Sequence, residues 1–111
     1  MAGLPPHDHV VFDIAKLRDY CLDEAHLRGR HKARVFRRAL DIGRQDATWL
    51  RHALLEGLPD ATVEMTGADG YGTRWRADIA VSRQDRHAVV RTAWLLRNGT
   101  RELNFLTCWV L

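Results

Sequence analysis

The sequence predicts an α+β fold: two to three N-terminal helices packed on one face of a four-stranded antiparallel sheet. Three observations carry this. Through the first half, apolar residues recur every three or four positions. After Pro59 the period changes to two. Asn98-Gly99 then sits between two alternating segments, a strong short hairpin signal.

The chain has 111 residues, a length that suits one domain spanning residues 1–111. Residues 1–11 are expected to be a flexible N-terminal tail, since "GLPPHDH" holds two prolines and no periodicity. Asp13 is placed to cap a short helix with Ile14, Leu17 and Cys21 on one face. The stretch "LDEAHLRG" breaks that pattern. The second helix is predicted over His31–Ile42, with Val35, Phe36, Ala39 and Leu40 inward and Gly43 as its stop. The third is predicted over Gln45–Glu56, with Ala47, Leu50, Ala53 and Leu54 inward and Gly57 and Pro59 ending it.

Four strands follow, read from "ATVEMT", "RWRADIAVS", "HAVVRTAWLLR" and "TRELNFLTCWVL". A two-residue type I′ turn at Asn98-Gly99 sets a register in which Trp94 faces Leu103, Thr92 faces Phe105 and Arg91 faces Leu106. The inner face then carries Val90, Thr92, Trp94, Leu96, Leu103, Phe105, Thr107 and Trp109. The outer face carries Arg74, Arg76, Asp78, Arg91, Glu102 and Asn104. In this register Arg91 points away from the face on which the helices pack.

Seventeen Lys and Arg against 14 Asp and Glu give a net charge of +3, milder than a dedicated DNA-binding domain shows. Lys16 and Lys32 are the only lysines. No apolar run is long enough to span a membrane, and no basic segment precedes an apolar one at the start, so a cytoplasmic protein without a membrane partner is expected. Cys21 and Cys108 lack metal-ligand spacing and are expected as buried free thiols. C-x-x-C, P-loop, G-x-G-x-x-G and H-E-x-x-H motifs are absent, so neither cofactor nor metal is expected.

The segment "GRHKARVFRRAL" opens the second helix with Arg28, Arg30, His31, Lys32 and Arg34 gathered at an end whose dipole disfavours cations. A solvated first turn accounts for His31 and Lys32 in ordinary terms. The competing explanation is an anion site, in which free N–H groups and cationic side chains hold a phosphate. Arg91 interrupts the apolar strand "AVVRTAWLL". It either pairs with Asp78 across the strands or binds a phosphate. Thr92 and Thr107 are ordinary strand residues, of interest only if the His31 end of the helix lies over them. Tyr71, in a glycine-rich turn, is the aromatic most free to meet a ligand.

"FDIAKLRDYCLDEAHLRGRHKARVF", "YGTRWRADI" and "AVVRTAWLLRNG…NFLTCWVL" resemble a small bacterial domain family without an assigned function. Members of that family stand alone or form the C-terminal tips of polymorphic toxins and phage-head-morphogenesis-type proteins. The order of helices and strands is also loosely similar to the RNase-toxin group named for barnase, EndoU, colicin and RelE. That likeness implies a metal-independent ribonuclease that cuts RNA by acid/base transesterification. It implies catalytic roles for His31, Lys32, Arg91 and Thr107, and substrate contacts by Arg30, Tyr71, Arg74 and Thr92. The implied partners are RNA (tRNA or ribosome-bound mRNA) and a cognate antitoxin or immunity protein. The alternative is a non-catalytic protein-binding module, antitoxin-like or adaptor-like, that uses the polar face of the sheet.

Overall fold

A computed structural model describes residues 3–111; the first two residues of the expected tail, Met1 and Ala2, lie outside the described residues. The element order is β1 (His9–Val11), a π-helical turn (Leu17–Cys21), α1 (Arg30–Leu40), a 3₁₀ turn (Arg44–Asp46), α2 (Ala47–Gly57), a second 3₁₀ turn (Leu58–Asp60), β2 (Thr62–Ala68), β3 (Gly72–Arg83), β4 (Arg86–Arg97) and β5 (Glu102–Val110). The α+β class stands, but the sheet has five strands, in the order β1-β5-β4-β3-β2. β2 to β5 are antiparallel neighbours, whereas β1 runs parallel to β5, so the sheet is mixed.

The extra strand corrects the expectation of a flexible tail. Three residues are too few to show a period, and the prolines before them read as linker. β5 nonetheless offers an open edge, and β1 pairs with it from His9↔Glu102 to Val11↔Asn104. Asp8 binds Arg101 through both backbone and side chain, each at 2.8 Å. Phe12 then stacks on Phe105 with ring centroids 3.9 Å apart.

The first helix is a π-helical turn, not an α-helix. Asp13 Oδ1 accepts the Ala15 N–H at 2.9 Å, as a cap should, and Leu17 and Cys21 are buried as the spacing predicts. The i→i+5 bond from the Leu22 N–H to the Leu17 carbonyl, at 2.8 Å, widens the turn and brings Leu22 into the core as well. α1 buries Ala33, Phe36 and Leu40. It ends one turn before the expected glycine, because Asp41 takes the left-handed conformation (φ 55°) and gives its N–H to Arg37 O. α2 buries Ala47, Leu50 and Leu54. Both helices press on Ile79, Val90, Trp94, Leu103 and Phe105, all buried on the inner sheet face.

Two differences alter where the β5 side chains point. The Asn98 N–H donates to Tyr71 O at 2.8 Å and only Gly99 takes a positive φ, so the link is not type I′. The ladder starts at Leu96↔Leu103 and pairs Trp94 with Phe105. This moves the pairing by two positions and leaves Leu103 and Phe105 inward. A bulge at Leu106 then moves it by one more, pairing Arg91 with Trp109 and Thr92 with Cys108. Cys108 therefore takes the buried place expected for Thr107, and Trp109 is only half-buried. The β3–β4 link is the short hairpin expected of "SRQDRH", with Arg83 opposite Arg86.

Candidate functional site

The approach to α1 is held by a side chain the sequence did not single out. His26 Nδ1 accepts the N–H groups of Arg28 (3.0 Å) and Gly29 (2.9 Å), so this nitrogen carries no proton. The His26 ring meets the Tyr20 ring edge-on, 4.8 Å away. Gly29 is buried, and a Cβ there would overlap the Tyr20 carbonyl oxygen. The glycine serves close approach, since its φ of −84° is open to any residue.

This packing sends the first turn of α1 past Tyr20 toward β5. That turn has no acidic residue and no side-chain cap. Lys32 Nζ donates to Thr107 Oγ1 at 3.1 Å. It also lies 4.9 Å from the Tyr20 ring centroid and 5.2 Å from that of Trp109. His31 is exposed beside it. His31, Lys32, Val35, Trp109 and Val110 line a groove of about 500 Å³. Beneath Thr107, Cys21 Sγ lies 3.5 Å from the same hydroxyl oxygen. The Cys21 thiol is lowered to about 6, first by the Cys108 thiol bonded to it, against the effect of burial, and further by Thr107, the Cys108 N–H and Lys32. Burial pushes the Cys108 thiol well above its ordinary range.

Of the expected site residues, His31, Lys32 and Thr107 come together. The others sit elsewhere. Arg91 gives Asp78 two hydrogen bonds, from Nε (2.8 Å) and from the terminal nitrogen (2.9 Å), on the sheet face opposite the buried Val90 and Thr92. Asp78 holds Arg91 above its ordinary range, and Arg91 holds the Asp78 carboxyl below its own. This is the cross-strand pairing weighed from the sequence. Thr92 has no exposed surface: it donates to Ala77 O at 2.6 Å and accepts from Trp94 Nε1 at 2.7 Å, bracing the core instead of meeting a substrate. Tyr71 is 70% exposed, at the turn beyond β3, and Arg74 there pairs with Asp69 at 3.0 Å. Arg30 follows His26 at the start of α1, with its Nε buried and without a partner.

Tyr20, Cys21, His26 and Trp109 complete the groove and were not read as site residues. The 3.6 spacing marked Cys21 as core, which it also is. Trp109 was assigned inward because the bulge at Leu106 leaves no sequence signature. Among the described residues, no group of three or more His, Cys, Asp and Glu side chains is placed to hold a metal. Among the same residues, no helix is long and apolar enough to cross a membrane.

Fold and groove together define an α+β domain whose first long helix delivers an unpaired cation-rich turn to the C-terminal strand of the sheet. The chain belongs to the family described as a domain of unknown function, DUF6883, which matches residues 3–111. It matches no curated protein and no solved structure.

Proposed function

We propose that this chain is a metal-independent ribonuclease domain that cuts RNA by transesterification in the groove between α1 and β5. The observation that carries the proposal is the Lys32–Thr107 hydrogen bond beside the exposed His31. RNA cleavage needs a base for the 2′-OH, a proton for the 5′ leaving oxygen and positive charge around the phosphorane. His31 takes the 2′-OH proton. Lys32, held by a neutral hydroxyl with no carboxylate bonded to it, neutralises developing charge on the phosphoryl oxygens. Trp109 offers a ring on which a base can stack. Arg91 has no part in this arrangement, because Asp78 already holds it. An RNA-cutting domain in a cell needs a cognate antitoxin or immunity protein, and the same groove is the surface such an inhibitor would cover.

The test is expression of the wild type, His31→Ala and Lys32→Met in cells, with growth and RNA integrity followed, and the purified proteins on RNA in chelator. Growth arrest and RNA ending in 2′,3′-cyclic phosphates with the wild type alone is the expected result. Harmless expression of all three, with intact RNA in both assays, would remove the proposal. The apolar walls of the groove, with Val35 38% exposed, would then favour a non-catalytic protein-binding module. The outer sheet face suits that role less, since Arg76 pairs with Glu64, Arg91 with Asp78 and Arg74 with Asp69 within the chain itself.

A further inference from the structure

We propose that Cys21 is a positioning residue in anionic form: its sulfur accepts the Thr107 hydroxyl proton and so turns the Thr107 lone pairs toward Lys32. The directions of the bonds support this. An ammonium group only donates, so Thr107 Oγ1 is the acceptor of the 3.1 Å bond from Lys32. The Thr107 proton must then point elsewhere, and Cys21 Sγ is the partner at 3.5 Å. Were Cys21 to donate to Thr107 instead, the hydroxyl would receive two donors and its own proton would be left without an acceptor. The Cys108 thiol and the Cys108 N–H also turn to the Cys21 sulfur. Three donors converging on one sulfur suit a thiolate, not a thiol.

The two cysteines are unequal by construction. Both are fully buried. Cys108 faces Thr92 in the ladder, on the inner side of the sheet. Cys21 ends the π-helical turn, faced by Lys32 from α1 and by Thr107 and Cys108 from β5. The neighbouring charged groups on the π-helical turn and on the 3₁₀ turn, Asp19 and Arg44, pair with each other at 2.9 Å on the exposed side. α2 contributes Ala47, Leu50 and Leu54 to the core, which carry no charge. Lys32 is thus the cation that balances Cys21, and Thr107 is the link between them.

A catalytic use for this relay rests on the ribonuclease reading above; the thiolate itself does not. The experiment is a pH titration of wild-type protein labelled with [3-¹³C]cysteine, read by NMR, with thiolate absorbance near 240 nm as a second signal. One cysteine is expected to titrate with a midpoint of about 6, while the other stays protonated through pH 9. Cys21→Ser removes the step and Cys108→Ser retains one. Thr107→Val and Lys32→Met each raise the midpoint by about one unit or more. The labelled wild type alone decides the matter if a variant fails to fold. Two cysteines that both remain protonated to pH 8 would overturn the proposal, as would a step unmoved by Lys32→Met and Thr107→Val. The ribonuclease reading fails separately, on uncut RNA with the thiolate present.

Discussion

Two cations on this small sheet have opposite surroundings. Arg91, on the outer face, meets a carboxylate in two parallel hydrogen bonds. Lys32, at the groove, meets a hydroxyl, two aromatic rings and, behind the hydroxyl, a sulfur. The Arg91 geometry is complete without any ligand. Lys32 has more donors than its bonded partner uses, and none of those partners is a carboxylate. An arginine in an apolar strand draws the eye in the sequence, yet it is the cation whose charge is already answered. The lysine in an unremarked helix turn is the one positioned to receive an anion.

The largest expected effect breaks the comparison at the groove. On the ribonuclease reading, Lys32→Met lowers the cleavage rate by about 100-fold or more, the scale of losing one charge-stabilising group. Arg91→Ala leaves the rate within a few-fold. Single-turnover cleavage of a short RNA measures both, and equal losses in the two variants would show that the two cations do not differ in function. Next in size is Gly29→Ala. Its methyl group must displace the Tyr20 carbonyl, at a cost of about 1–3 kcal/mol as for other overpacked sites. Urea unfolding reads that loss, and a neutral result would mean that the approach to α1 yields easily.

Much of this fold was legible in the sequence, because burial imposes a period. Phe36 and Leu40, Leu50 and Leu54, and Ile79, Val90 and Trp94 all lie where spacing put them. Three things were not legible, each for a local reason. β1 is held by an edge that another strand supplies. The π-helical turn differs from an α-turn by one hydrogen bond. The bulge at Leu106 is a single extra residue that reverses which of Thr107 and Cys108 is buried. For the site, His31, Lys32 and Thr107 were named from the helix start and from a resemblance. Their meeting depends on the bulge and on the Gly29–Tyr20 contact, neither of which a spacing rule contains. Arg91 was named with them, although the same register that placed it also faced it to Asp78.

The smallest expected effects are on stability against pH, and they sharpen the comparison from both ends. On the outer face, Arg91 lowers the Asp78 carboxyl, so the stabilisation from this pair is present at neutral pH and lost as pH falls below the ordinary carboxyl range. The pair is partly solvated, so Asp78→Asn lowers the melting temperature only slightly at pH 7 and not at all at pH 2. At the groove the window lies higher. Cys21 titrates at about 6 when folded against an ordinary value of 9.0. Between these values the unfolded chain binds more protons, so stability rises with pH. Cys108 acts in the reverse sense: its folded thiol is raised above 9.0, so its contribution falls once pH passes that value. The melting temperature should therefore climb from pH 6 toward pH 9 and decline beyond it. Cys21→Ser should flatten the climb while leaving the acid-side loss from Asp78 in place. A melting curve with the same slope in wild type and Cys21→Ser would separate the groove sulfur from Lys32 and leave Arg91–Asp78 as the one pair of the two that is coupled electrostatically.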